Sequence, residues 1–161
     1  LSPEQIAQAL HEFQAPKRRL EVLYQESVTL YDDFAHHPTA IQSTLSGLRA
    51  IVGKNPIGVL LDLRSNTMKL GTHEHHLYQS LDLADYVGIF QSPEVKWNVK
   101  ALEKRPGVRV FQEVEALTKW FESNASKATD WVIMSNGSFQ GLNQKLVQIL
   151  KEREKDVQFT S

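Results

Sequence analysis

Between the loop Gly53-Lys54-Asn55-Pro56 and the polar stretch Arg64-Ser65-Asn66-Thr67-Met68-Lys69, residues Ile57–Leu63 form an almost unbroken apolar run. A run this short, bounded by turn signals, reads as a strand buried on both faces, and such strands belong to parallel sheets covered by helices. Asp130–Met134 is a second apolar strand. The rest alternates between the two periods. A strand pair, Leu20–Tyr24 and Val28–Asp32, is joined by a polar turn at Gln25-Glu26. A helix from Thr39 to about Val52 carries Ile41, Leu45, Leu48 and Val52 on one face. Helices are also expected at Glu74–Leu83, Trp97–Glu103, Val114–Ser123 and Leu142 to about Lys155, with strands at Tyr86–Gln91 and Val108–Phe111. Asp156–Thr160 reads as a last edge strand. Before all of these, Ser2 caps a helix with Pro3 at its first position and an apolar stripe of Ile6, Ala9, Leu10 and Phe13, and Pro16 ends it. Strands alternating with helices give an α/β fold: a doubly wound, mostly parallel, Rossmann-like sheet with helices on both faces.

Composition narrows the class. At 161 residues the chain fits one domain with a full core. A formal net charge of -1 gives no reason to expect nucleic acid as a partner. No apolar run approaches the roughly 20 residues that span a bilayer, so no membrane partner is expected and a cytoplasmic location is the default. With no cysteine, disulfides and thiolate metal sites are excluded. An opening at Leu1 rather than methionine suggests a piece cut from something longer.

Right-handed crossovers place three polar loops along the rim where strands end and helices begin, the edge at which open α/β sheets bind ligands. The first is Tyr31-Asp32-Asp33-Phe34-Ala35-His36-His37-Pro38. Pro38 suits the first turn of a helix and holds His37 extended, free to point into the crevice. None of the two acids and two imidazoles is needed to close that turn. The second loop brings Arg64 and Lys69, cations able to hold a carboxylate. The third, Ser135-Asn136-Gly137-Ser138-Phe139-Gln140-Gly141, offers backbone amides and close approach to an anion. Such a rim suits a ligand with both carboxylates and amines, or a phosphate.

Catalytic machinery is harder to find. The chain has no nucleophile elbow, no His-Glu-x-x-His and no Gly-x-x-x-x-Gly-Lys-Ser/Thr phosphate loop. The cluster His73-Glu74-His75-His76 fits a solvated helix start better than a metal site, because its imidazoles are not fixed to converge.

Lys17-Arg18-Arg19-Leu20-Glu21 followed by Tyr31-Asp32-Asp33-Phe34-Ala35-His36-His37-Pro38-Thr39 closely resembles the start of the carboxyl-terminal domain of Mur ligases. The Asp-Asp-(aromatic)-Ala/Gly-His-His-Pro-Thr form resembles the branch that uses UDP-N-acetylmuramate as acceptor. Within it, Arg64-Ser65-Asn66-Thr67-Met68-Lys69, Met134-Ser135-Asn136-Gly137-Ser138-Phe139 and Gln144-Lys145-Leu146 are similar to members that add the murein tripeptide L-alanyl-γ-D-glutamyl-meso-diaminopimelate. Members that add L-alanine usually show His-Arg-Tyr-(Thr/Ser)-Arg at the second loop. The resemblance implies an ATP-dependent ligase of peptidoglycan recycling. Its carboxyl-terminal domain brings the amine, while ATP and Mg2+ are bound mainly by a central domain carrying the phosphate loop.

It also implies a division of the chain. Residues 1–16 would be the tail helix of the preceding ATPase domain, its stripe partly exposed or packed on a neighbour, and residues 17–161 the amine-substrate domain, inactive alone. By the same resemblance Arg19, Asp33, His36 and His37 face ATP. Arg64, Asn66, Lys69, Ser135, Asn136 and Gly137 hold the tripeptide, and no certain catalytic residue or metal ligand falls here. Asp62-Leu63 departs from the Glu-Pro common in the tripeptide-adding members. As a loop carboxylate, Asp33 is expected to contribute little to the core. The alternatives are the same domain of an L-alanine-adding ligase and a non-catalytic flavodoxin-like binding module. The binding reading requires Arg64 and Asn136 to lie on the same side of the molecule as Asp33.

Overall fold

The elements follow the hydrophobic periods closely. In the computed structural model, which describes residues 2–5, 18–64, 66–69, 71 and 74–160, the chain runs β1 (Glu21–Gln25), β2 (Thr29–Asp33), α1 (Pro38–Val52), β3 (Ile57–Asp62) and α2 (Asn66–Lys69). It continues through α3 (Glu74–Ser80), β4 (Tyr86–Phe90), β5 (Val108–Phe111), α4 (Val114–Asn124), β6 (Asp130–Met134) and α5 (Leu142–Thr160). The segment expected as a helix after Trp97 is a 3-10 helix at Val99–Lys104. Ser2 caps its helix as expected: its Oγ accepts the Gln5 N–H at 3.1 Å while Gln5 Oε1 accepts the Ser2 N–H at 2.9 Å, a reciprocal capping box. The rest of that helix and its stripe lie outside the described residues.

One six-stranded sheet has the order β1-β2-β6-β3-β4-β5. β1 pairs with β2 antiparallel, and every other pairing is parallel. Strand parity divides the core. Val59, Leu61, Val132 and Met134 face Ile41, Leu45 and Leu48 of α1 and Leu77 of α3. Leu60, Trp131 and Ile133 face Leu117 and Phe121 of α4 and Leu142, Leu146 and Leu150 of α5. Both faces of β3 are therefore covered, which is why its sequence reads as a continuous apolar run. Gly58 is required by this packing, since a Cβ there would stand 2.2 Å from the Trp131 indole.

The parallel register sets the rim. Met134 of β6 stands opposite Asp33 on one side and Leu61 on the other, so β2, β6 and β3 end at one level. The side chains that follow emerge side by side.

One expected element is different. Asp156–Thr160 does not form an edge strand but continues α5 without a break. Val157 and Phe159 alternate as in a strand, yet they follow Lys151-Glu152-Arg153-Glu154-Lys155, a run of helix formers. Extending an existing helix costs less than nucleating a new element, so propagation wins, leaving Val157 and Phe159 exposed. No helix among the described residues is long and apolar enough to cross a membrane.

Candidate functional site

The first loop is built on its own side chains. Asp33 is 5% exposed and accepts from three donors: the Leu20 N–H at 3.0 Å, the Ala35 N–H at 2.8 Å and Thr44 Oγ1 of α1 at 3.1 Å. Asp32 is paired to Arg18, whose Nε lies 2.8 Å from its Oδ2. The Arg18 guanidinium also lies 5.4 Å from the centre of the Phe34 ring. His37 is extended, as a residue before proline must be, but it caps α1: its Nδ1 accepts the Thr39 N–H at 3.3 Å. His36 Nδ1 donates to the Phe34 carbonyl at 2.9 Å. The expectation that none of these side chains closes the turn is thus corrected. Asp33 holds three segments together and is part of the fold, because its two buried backbone donors would otherwise be unpaired. Beside this loop is a cavity of about 390 Å³ whose wall includes Arg19, Asp33, Phe34 and His36.

Ser135 is the junction of the rim. Its N–H donates to the Asp33 carbonyl at 3.2 Å, and its own carbonyl accepts from Arg18 Nη2 at 2.7 Å. Its Oγ donates to Asp62 Oδ2 at 3.0 Å and accepts the Gly137 N–H at 3.1 Å. Three strand ends therefore share one residue. The second and third loops meet beside Asp33: Ser135 bonds the Asp33 carbonyl, Arg64 pairs with Asp62 at 3.0 Å, and Gly137 packs close against the guanidinium. A Cβ at Gly137 would stand 2.8 Å from Arg64 Nη1.

A second cavity of about 500 Å³ opens on the far side of Ser135, walled by Asp62, Arg64, Lys69, Ser92, Glu94 and Gln140 among others. Lys69 is hydrogen-bonded to Glu94 and holds that exposed carboxyl below its usual range, chiefly through this bond. Asp62 behaves oppositely. Burial holds its carboxyl above the usual range, against the pull of Ser135, Arg64 and Lys69. Among the described residues its Oδ1 is buried with no partner, as are Ser92 Oγ and Asn136 Oδ1.

Backbone strain gathers at the same rim. Among the described residues, the four non-glycine residues with positive φ are Arg18, Leu20, Phe139 and Gln140, at 62°, 45°, 49° and 52°. Such conformations persist only where surrounding contacts hold them, and they cluster at ligand sites.

Of the expected site residues, Arg19, Asp33 and His36 share the first cavity, and Arg64 and Lys69 share the second. Ser135 and Gly137 support Asp62 and Arg64, and Asn136 lies between them in the third loop. Asn66 begins α2, and its side chain lies outside the described residues. His75 and His76 are exposed on α3 with ring centres 6.2 Å apart; His73 lies outside the described residues. Sequence reading gave Asp62, Ser92 and Gln140 no individual site role. The signal for Asp62 was present, a single carboxylate inside an otherwise apolar strand.

Comparison with known proteins gives this geometry a family. Residues 18–137 match the family model described as Mur ligase, glutamate ligase domain. The chain belongs to the Mur ligase family. A Haemophilus influenzae relative, UDP-N-acetylmuramate--L-alanyl-gamma-D-glutamyl-meso-2,6-diaminoheptandioate ligase, is 38% identical over 152 residues, covering 92% of this chain and 34% of the relative. The crystal structure of a murein peptide ligase from Psychrobacter arcticus superposes with a TM-score of 0.76 at 34% identity, over 89% of this chain and 32% of that one. A domain from a putative ligase of the same type from Haemophilus ducreyi gives 0.68 at 36% identity, over 81% of this chain and 98% of that one. The chain spans about a third of the length of the curated relatives it matches. The expected Mur ligase resemblance and α/β fold are both borne out.

Proposed function

We propose that this chain is the carboxyl-terminal, amine-binding domain of a cytoplasmic ATP-dependent ligase. The intact enzyme joins L-alanyl-γ-D-glutamyl-meso-diaminopimelate to UDP-N-acetylmuramate in peptidoglycan recycling. The observation that carries the reading is the second cavity, where Arg64 and Lys69 stand at the strand-end rim of a domain whose relatives bear that substrate in their names.

In this reaction the γ-phosphoryl group of ATP passes to the lactyl carboxylate of UDP-N-acetylmuramate, giving an acyl phosphate and ADP. The neutral α-amine of the tripeptide attacks the acyl carbon, the carbon–oxygen bond to phosphate breaks, and the amine nitrogen loses a proton. Arg64 and Lys69 hold the peptide's carboxylates, with Asn66 and the Ser135–Gly137 segment completing the pocket. The first loop faces the nucleotide. Arg19 and His36 project toward the phosphates, while Asp33 and His37 fix the loop's shape. The nucleotide's Mg2+ is held mainly by the central domain. The carboxylates of this loop are occupied by Arg18, Leu20, Ala35 and Thr44, so no Mg2+ ligand is assigned to them. On this reading residues 1–16 are the tail of the ATPase domain and residues 17–161 the amine domain.

The test is steady-state kinetics on the full-length enzyme. Arg64→Ala should raise KM for the tripeptide at least tenfold, about 1.4 kcal/mol of lost binding, and leave KM for ATP unchanged. An unchanged tripeptide KM, or efficient use of free L-alanine by the wild type, would overturn the reading.

A further inference from the structure

Among the described residues, Asp62 is the rim carboxylate whose hydrogen bonding the protein leaves half finished. Its side chain is 1% exposed. Oδ2 is served by Ser135 Oγ and by Arg64 Nε, each at 3.0 Å. Oδ1 is buried, forms part of a side chain in the cavity wall, and has no donor among the described residues. A buried oxygen of an ionised carboxylate left without a donor is costly, so this position calls for a donor.

The neighbours restrict what can arrive. Arg64 and Lys69 line the same cavity, Arg64 paired with Asp62 and Lys69 with the exposed Glu94, and the donors each cation has to spare can receive an anion. The second orphan oxygen of the wall, Ser92 Oγ, accepts as readily as it donates. A ligand that brings only carboxylates would set negative charge against Asp62. A ligand that brings only an amine would leave unused the N–H donors that Arg64 and Lys69 keep beyond their bonds to Asp62 and Glu94. A head group bearing an ammonium and a carboxylate on one carbon answers both demands.

The attacking amine of the reaction must be neutral, whereas a buried carboxylate holds an amine protonated. The nucleophile therefore does not belong at Asp62, and the peptide's other, non-reacting amino-acid end does. We infer that Asp62 is a specificity-determining residue: its Oδ1 accepts from the ammonium of the peptide's zwitterionic terminus while Arg64 and Lys69 take the adjacent carboxylate. This rests on the reading of the second cavity as the amine-substrate pocket.

The test uses the full-length ligase and three acceptor peptides built on L-alanyl-γ-D-glutamate. The third residue is 2,6-diaminoheptanedioate, 2-aminoheptanedioate (carboxylate kept, ammonium removed) or 2,6-diaminohexanoate (ammonium kept, carboxylate removed). Wild-type enzyme should prefer the first peptide to the second by tenfold or more in kcat/KM, a charge-assisted hydrogen bond being of that order. Asp62→Asn keeps the shape and removes the charge, and it should shrink that ratio at least tenfold by weakening the first peptide and favouring the second. Asp62→Glu should retain the preference. Equal losses for both peptides in Asp62→Asn would make Asp62 a positioning residue for Arg64 and overturn the proposal. So would a wild type indifferent to the ammonium, a measurement that needs no variant to fold. Failure of the pocket reading looks different: Arg64→Ala would then leave KM for all three peptides unmoved.

Discussion

Asp33 closes β2 and Asp62 closes β3, one on each side of β6, and both carboxylates are buried. The first is saturated by the protein, with two backbone donors and a threonine hydroxyl around it. The second has one oxygen committed to Ser135 and Arg64 and the other unpaired. Burial and position are alike, so neither tells the two apart. Counting donors does: the saturated acid belongs to the scaffold, and the unsaturated one is the acid we propose for a ligand.

The comparison predicts unequal responses to mutation. Asp33→Ala leaves one buried and one part-buried N–H unpaired and should cost about 3 kcal/mol in urea unfolding. A loss below about 1 kcal/mol would remove the distinction between the two acids. Ser135→Ala cuts the link between the regions by stranding the Gly137 N–H and taking a donor from Asp62, and about 1–2 kcal/mol is expected.

Asp62→Asn should go the other way. Because burial raises the Asp62 carboxyl in the folded state, the fold binds that proton more tightly than the unfolded chain does. Stability therefore falls as pH rises from about 3.8 through the raised folded value, and above it the penalty stays in full. The variant should melt no lower than wild type at pH 7, with the gap closing toward pH 4. A wild type that instead gains stability across that interval would make Asp62 a scaffold acid like Asp33. Smallest of all, Lys69→Ala should leave the unfolding midpoint unmoved, since its partner Glu94 is exposed and solvent screens the pair.

Much of this was legible in the sequence. Strand ends and helix starts follow hydrophobic period, and parallel pairing then obliges the polar loops to share a rim. Pro38 correctly marked His37 as extended. What could not be read was which side chains the fold itself would consume. An imidazole is an unusual N-cap, so His37 looked free, and capping preferences favour Ser, Thr, Asp or Asn. Within Arg18-Arg19 sequence does not say which guanidinium turns inward: Arg18 reaches Asp32 and the Ser135 carbonyl, while Arg19 stays exposed. Asp62 was absorbed into an apolar run because hydrophobic pattern tolerates one acid at a strand's last position. The final turns of α5 were misread because Val157-Gln158-Phe159 has strand alternation, and local alternation cannot register that a helix is already under way.

The flat contact between Gly137 and Arg64 ties together two segments far apart in the chain. Any side chain at 137 would crowd the Arg64 guanidinium beside its carboxylate anchor, so the two positions are coupled. Exchanging either loop by itself would deliver an arginine without the room that Gly137 gives it.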